Sequence, residues 1–400
     1  MKVNIEFVAS RNQLKLQKTE NYNMKRVLFI ATVVKTHIMP FHISCLEWFK
    51  KNNFEVHVAA RNDYENEKEC DIPFCDMFFD LPFERSPVKK SNLFVYKKLK
   101  RIIDNNQYEI IHCHTPMGGV LGRLAARNAR KKGTKVIYTA HGFHFYKGAP
   151  KQNWLFYYNV EKFLSRFTDL LITINNEDFT IAKLFKARDV ALVPGIGVDL
   201  SRFCGLGMNT RKIRDELRIA DDSVVLLSAG ELNKNKNQKT IFRSFAKANH
   251  HNLVLLLCGV GKLEKKLKSF AAKLGINDKV RFLGFRKDIP EICLSSDIFL
   301  FPSFREGLPV LVMEAMAAGL PIIASNIRGV TDLISNEVGG FLHDPVDYIG
   351  IAMSIDKLAE DFKLRQYMGQ KNKEAVKNYD KKIVMDLMEK KYLKVLAKSS

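Results

Sequence analysis

The 400 residues hold no apolar run long enough to cross a bilayer. The longest, Leu253 to Gly261, is about half of the roughly 20 residues that a membrane helix requires. The amino-terminal stretch carries no apolar core of a secretory leader, so secretion and membrane insertion are not expected, and a cytoplasmic location is. Cysteine is sparse and unpatterned: the seven, at 45, 70, 75, 113, 204, 258 and 293, form no CxxC pair and no Cys/His group at zinc spacing. Their odd number and scatter point to a reducing compartment. Cys113, Cys258 and Cys293 lie inside apolar runs, where cysteine serves as a small hydrophobe. Short-period repeats and low-complexity tracts are absent, and negative charge is short. With 43 acidic against 64 basic residues the formal net charge is +21, which suits nucleic acid, anionic lipid or an anionic small substrate without choosing among them.

What is present is enough apolar sequence, 46% of the chain, to fill two cores of ordinary size. From Arg26 onward short apolar runs alternate with amphipathic stretches, the mark of parallel-sheet units. Strands are expected at 26–33, 55–60, 108–114, 135–140, 169–174 and 190–193, with a helix over 117–132. The pattern pauses at 194–210, with Gly195, Gly197, Gly205 and Gly207, and a charged helix follows at 211–218. It then restarts with strands at 223–229, 253–258, 280–284, 297–301 and 321–324, and ends in helices over 347–397. The expected organisation is therefore a polar extension over 1–23, with Met24 as a candidate true start. A first Rossmann-like domain covers 24–203 and a second 204–378, and a final helix over 379–400 packs back across them. Two such sheets bind ligands at the carboxyl ends of their strands, so a cleft between facing ends is the expected active site.

The densest signal runs from Phe301 to Gly319. A strand ends at Pro302, a loop carries Glu306, and Pro309 is placed in the first turn of a helix, where proline is tolerated. Backbone N–H groups over 307–310 then point out of the helix start, a ready site for phosphate. Glu306 lies just ahead of that start and Glu314 two turns inside, where a carboxylate can accept from the paired hydroxyls of a ribose. Gly230 to Asn237 is the second element: Gly230 permits close backbone approach, and Lys236 supplies charge for a diphosphate. Gly259-Val260-Gly261 ends the next strand in the same way.

The Glu-x7-Glu element of Glu306 and Glu314, the Gly230–Lys236 loop and the run Tyr138-Thr139-Ala140-His141-Gly142-Phe143-His144 resemble retaining glycosyltransferases. The likeness is to family four of the two-Rossmann-domain (GT-B) type, which includes enzymes of bacterial capsular and exopolysaccharide synthesis, and it covers nearly all of 24–378. It implies transfer of a sugar from a nucleotide-sugar, a UDP-sugar by frequency in the family, to an acceptor, with retention and without a metal cofactor. At matching positions it implies that Glu306 contacts the donor sugar and that amides of Gly307, Leu308 and Pro309 cap its hydroxyls or the diphosphate. Glu314 would hold the ribose, Lys236 or Lys234 the diphosphate, Gly230 and Gly261 the backbone approach, and Arg281 to Phe285 the base. His141 would stand beside the transferred sugar. Two departures are visible. Glu231 stands where many relatives carry arginine, and Ala31 to Ile38 lacks the glycine-rich loop common after the first strand.

In the first half, His112 and His114 share a strand face, but no third ligand is near in sequence, so no metal is expected; His112 is assigned to the core and His114 to the cleft. Arg123, Arg127 and Arg130 recur at helical spacing, with Lys131, Lys132 and Lys135 beyond. Phe143, Phe145, Tyr146, Trp154, Phe156, Tyr157 and Tyr158 lie among lysines. Basic and aromatic surface together suit a peripheral contact with anionic lipid at the inner face of the membrane and a lipid-linked acceptor; burial of the same aromatics against the sheet is the plainer alternative. A nucleotide-sugar epimerase would share the layout, and a basic nucleic-acid-binding protein would share the charge, although no nucleic-acid motif is found.

Overall fold

A computed structural model describes residues 24–204 and 210–397. The chain divides into two compact units. Of the described residues, the first holds 24–173, the stretch Ile181–Ala191 and 388–397. The second holds Ile174–Thr180 and Leu192–Leu387. The path thus changes unit inside the helices Asn176–Ala182 and Lys381–Ala397.

The first unit is built on a seven-stranded sheet. Its strands are β1 (Lys25–Val33), β2 (Phe54–Arg61), β3 (Met77–Asp80), β4 (Ile110–His114), β5 (Lys135–Ala140), β6 (Leu170–Thr173) and β7 (Val190–Leu192). Their order is β3-β2-β1-β4-β5-β6-β7, with parallel registers such as Val27↔Ile110 between β1 and β4 and Ile111↔Val136 between β4 and β5. Every residue of β4 is buried, as expected for a strand with helices on both faces of its sheet.

The second unit repeats the arrangement with β8 (Val224–Ala229), β9 (Leu253–Cys258), β10 (Val280–Gly284), β11 (Ile298–Phe301), β12 (Ile322–Ser325) and β13 (Gly340–His343), in the order β10-β9-β8-β11-β12-β13. Again the strands pair in parallel, for example Leu227↔Phe299. In each sheet the strand order reverses once, at β1/β4 and at β8/β11, and those crevices are where open α/β sheets take ligands.

β3 and β13 were not foreseen. Both are four-residue strands at sheet edges that are only partly buried, so neither reads as the continuous apolar run of a central strand. The helix expected over 117–132 is two helices, Pro116–Ala125 and Arg127–Lys131, broken at Ala126. Cys113, Cys258 and Cys293 are buried, as read from the sequence. Burial pushes the Cys113 and Cys258 thiols up to about 12, so both act as packing groups.

The arginine stripe is corrected by the structure. Arg123 is completely buried. Its Nε donates to the Gly119 carbonyl at 2.8 Å, its Nη2 to Glu161 at 2.7 Å, and its guanidinium lies 3.9 Å over the Tyr138 ring. Arg130 makes a two-pronged contact with Asp169 at 2.9 and 3.0 Å. These arginines cross-link the interior of the unit, and Arg127 alone of the three stays on the surface. The aromatics divide: Phe143 and Phe145 are core residues, whereas Trp154, Phe156 and the neighbouring Leu155 are exposed.

Candidate active site

Two loops build the site in the second unit, one leaving β8 and one leaving β11, on either side of the strand-order reversal. Gly230 has φ +140, a conformation that disfavours side chains, and a Cβ placed there would lie 3.3 Å from Cε of Lys236. The missing side chain lets the stem of Lys236 fold back over the strand end, with Nζ 4.6 Å above the Phe301 ring. The loop is tied in by Lys236 N–H to Asn233 Oδ1 at 3.0 Å, by Asn237 Nδ2 to the Pro302 carbonyl at 3.0 Å, and by reciprocal bonds between Asn235 and the stretch Phe304–Arg305. The outcome is a direct pairing: Lys236 Nζ lies 2.7 Å from Glu306 Oε1, both side chains mostly sheltered. Two residues 70 positions apart, each singled out from sequence, meet here.

The helix after β11 is Val310–Ala318, with Pro309 at its N-cap and not in its first turn. Proline carries no N–H, so the amide assigned to Pro309 does not exist as a donor. The donors at this end are Gly307 and Leu308 in the loop and Val310 and Leu311 in the first turn, where no intrahelical acceptor is available. The helix is apolar on all sides and buried over Val312–Met316, Glu314 included, which fixes it firmly beneath the loop. Glu314 faces Arg202 at 3.3 Å. Burial raises its carboxyl above the ordinary value, and the Arg202 charge offsets part of that.

The support beneath Glu306 and Gly307 was missed by sequence reading. Arg328, buried, donates through Nε to the Glu306 carbonyl at 3.2 Å and pairs with buried Asp178. Asn175 Nδ2 donates to the Gly307 carbonyl at 3.1 Å. Two consecutive carbonyls are thus held from one side, which orients the peptide planes and their N–H groups. Gly329 permits the closest approach: at φ +75 its Cβ would fall 2.1 Å from the Gly307 carbonyl oxygen. Gly329→Ala should therefore displace the Gly307 loop. Its expected signature is loss of most turnover together with a thermal midpoint lowered by several degrees; a variant with unchanged turnover would show that the loop's placement does not matter. The sequence signal was the turn run Ser325-Asn326-Ile327-Arg328-Gly329 after a strand, together with Asn175 at the end of another.

The remaining expected residues separate. Gly261 packs against backbone: its Cβ would lie 2.5 Å from the Leu232 carbonyl oxygen, so it seats the Gly230–Lys236 loop. Lys234 and Glu231 are exposed. Arg281 is drawn away, its guanidinium bonded to the Asp278 carbonyl three residues earlier, toward the amino end of β10. Arg286 lies beyond the carboxyl end of that strand instead, held by Asp288 at 2.6 Å and Glu216 at 2.8 Å.

In the first unit the strand-order reversal is lined with histidine. His114 ends β4, His37 and His42 follow β1, and His141 follows β5. His112 is in the core as expected, with Nδ1 2.9 Å from the Tyr392 hydroxyl and Nε2 2.8 Å from the Thr139 hydroxyl. His114 is also buried. Burial, joined by the neighbouring His112, His42, His141 and His37, holds its ring far toward the neutral form. Burial likewise takes His141 down to about 4 and His112 to about 3.

Comparison with known proteins decides the family. Residues 26–175 match the model described as glycosyl transferase 4-like, and residues 209–375 the model described as glycosyl transferases group 1. The EpsD protein of Bacillus subtilis (strain 168) is 42% identical over 88% of this chain and 92% of its own. An Escherichia coli UDP-Gal:alpha-D-GlcNAc-diphosphoundecaprenol alpha-1,3-galactosyltransferase is 33% identical over 68% of this chain and 70% of its own. The chain belongs to the group 1 glycosyltransferases. Among solved structures, Anabaena HepE in complex with UDP and glucose superposes with a TM-score of 0.75 at 20% identity, covering 92% of this chain and all of that one. That likeness bears out the two-Rossmann-domain, GT-B reading of the fold. A group 1 glycosyltransferase is an enzyme, so the transferase reading of the chain stands over the epimerase and nucleic-acid alternatives.

Proposed function

We propose that this glycosyltransferase moves a sugar from a uridine diphosphate donor to a lipid-linked acceptor, with retention at the anomeric carbon. The reading rests on the Lys236–Glu306 pair and on the Gly307 loop that runs into the Val310 helix start, whose first N–H groups have no acceptor within the helix. Cleaving the bond between anomeric carbon and phosphate leaves negative charge on the diphosphate. Lys236 and those N–H groups are fixed where that charge develops, the arrangement that contributes most to catalysis of this kind. The diphosphate displaces Glu306 as the partner of Lys236, and the freed carboxylate turns to the sugar hydroxyls. Glu314 accepts from the ribose and His141 lines the sugar's path. No side-chain carboxylate is assigned as a covalent nucleophile: the acceptor attacks from the leaving-group face and passes its proton to the departing diphosphate. The donor chemistry is thus assigned to protein cations and amides, without a metal ion. UDP in complex with HepE and the undecaprenol-linked acceptor named for the E. coli relative support donor and acceptor class. Incubation with a panel of nucleotide-sugars, with and without polyprenyl-diphosphate glycan, tests it. UDP released only when that lipid is present is the expected result, and no consumption of any uridine donor would defeat the assignment.

Glu314 gives a pH prediction. Because burial raises its pKa, it takes up a proton at a pH above the usual carboxylate range, and the charged ribose acceptor is lost there. Stability moves the other way. A raised folded pKa means the native state binds the proton more readily than the unfolded chain, so this group favours folding as pH falls toward its unfolded value. Affinity for UDP should therefore fall with acidification while the protein remains folded. Glu314→Gln should bind more weakly where Glu314 is charged and lack that step, a difference that cancels the ligand's own titration. Equal pH profiles for the two proteins would remove Glu314 from the ribose.

Membrane contact is assigned to the segment around Trp154–Phe163. Leu155 is 77% and Phe156 55% exposed, with Lys151, Lys162 and Arg166 on the surface beside them. Apolar tips among cations fit an anionic bilayer, where each basic residue contributes about 1 kcal/mol. Replacing Leu155 and Phe156 by serine should lower co-sedimentation with phosphatidylglycerol vesicles by about tenfold and leave turnover on a water-soluble acceptor unchanged; undiminished sedimentation would exclude this face. Among the described residues no helix is long and apolar enough to cross a membrane.

A further inference from the structure

In the donor site Lys236, Glu306 and Glu314 each have a charged partner, whereas four histidines of the first unit face one another. His37, His42, His114 and His141 each bring one ring nitrogen within 4.8 Å of the others. They arrive from three separate stretches of chain: the turn and helix after β1, the end of β4 and the loop after β5. Elsewhere the unit treats its buried histidines differently. His57 places one nitrogen 2.8 Å from the Tyr108 hydroxyl and the other 3.0 Å from Glu55, and His112 likewise has oxygen on both sides. In the cluster, nitrogen meets nitrogen. His37 Nε2 lies 3.2 Å from His42 Nε2, and His114 Nδ1 lies 3.5 Å from His141 Nε2. Among the described residues, Nε2 of His114, wholly sheltered, has no hydrogen-bond partner.

We propose that these four imidazoles form a binding site for a divalent transition-metal ion of the zinc class, at the strand-order reversal of the first unit. Imidazole suits zinc and its neighbours. With zinc–nitrogen bonds of about 2.0–2.1 Å, two ligands of a tetrahedral ion stand roughly 3.3 Å apart. The two nitrogen pairs, at 3.2 and 3.5 Å, straddle that separation, and the widest spread of 4.8 Å closes with small ring rotations. Phe29 stacks on His114 with ring centres 5.7 Å apart and forms part of an apolar floor, while His37 and His141 are half-buried and leave a way in. Each ring needs only one nitrogen for the ion, so His141 keeps its other edge for the sugar. Sequence spacing drew attention only to His112 and His114 and gave no reason to expect a metal, because the other three rings come from distant segments. The ion fastens the Val34–Ile38 turn to β4 and β5, and metal uptake is read independently of donor chemistry.

Untagged full-length protein, stripped with chelator and titrated with Co2+, should take up a single equivalent and show the visible ligand-field absorption of a tetrahedral nitrogen site, reversed by Zn2+. Its thermal midpoint should rise with added Zn2+, as binding to the native state alone demands. His37→Ala and His141→Ala, on the half-buried rings, should each weaken uptake by at least about tenfold, the lower bound for losing even an outer-shell support, with the metal-free thermal midpoint little changed. Absence of stoichiometric uptake, or uptake unaltered in both variants, would overturn the site, whether or not sugar transfer occurs.

Discussion

Replacing Lys236 by alanine is expected to lower sugar transfer by roughly 10²–10³-fold, the scale for removing one preorganised donor of charge stabilisation, with a thermal midpoint within a few degrees of the parent. The informative comparison is with Glu306→Gln. In the ligand-free protein Lys236 is already engaged, 2.7 Å from the Glu306 carboxylate, so a diphosphate must compete for it. Neutralising Glu306 removes that competitor. UDP alone should bind Glu306→Gln as tightly as the parent or more tightly, although transfer collapses because the sugar has lost its contact. Lys236→Ala should lose both. Calorimetric titration with UDP separates the cases: equal weakening in the two variants would show that Glu306 holds the nucleotide itself, and full turnover in either would discredit the pair. Lys236→Arg should rescue only in part, since a planar guanidinium does not reproduce the compact ammonium held over Phe301.

The largest stability effect is expected at Glu161. Arg123 is completely buried and one of its terminal nitrogens, Nη1, has no hydrogen-bond partner. Its charge is compensated by Glu161 at 2.7 Å and by the Tyr138 ring. Glu161→Ala leaves a cation without its carboxylate in a dry interior, a loss of about 3–5 kcal/mol, or very roughly 6–20 °C in thermal midpoint. Removing both charges in Arg123→Met/Glu161→Leu should recover most of that, because well-packed apolar groups do as well as a buried ion pair. A single variant as stable as the parent would mean that water reaches the guanidinium. Scanning calorimetry on the three proteins decides it.

These two expectations differ in how far the sequence foretold them. Glu306, Glu314, Gly230 and Lys236 were legible because each stands at a fixed offset from a strand end, and in a parallel sheet strand ends are where ligands bind. Their pairing followed once β8 and β11 became neighbours. Arg123 was misread because helical spacing shows that residues share a face but not which face is buried; the stripe through Arg123, Arg127 and Arg130 crosses from interior to surface. Arg281 was misplaced because its side chain turns back to the Asp278 carbonyl, a local choice that no motif records. Pro309 was misassigned on chemistry that sequence alone could have corrected, since proline has no N–H to offer.

By itself, then, the sequence determined the class of each element and the order in which they occur, and with them the two parallel sheets. Near-continuous apolar runs cannot face water, and the helical stretches between them supply the crossovers that make the strands parallel and cover both faces of the sheet. It also picked out the candidate donor-side residues, because each lies in or just after one of two short loops that leave a strand end. Only the tertiary structure decided what depends on distant parts of the chain. Arg328, Asn175 and Gly329 prop the Gly307 loop from two other loops, and β3 and β13 exist by virtue of a neighbour's free edge. The four histidines gather from three segments. Such contacts arise from the packing of whole elements, and the identity of a residue does not specify which remote backbone it will meet.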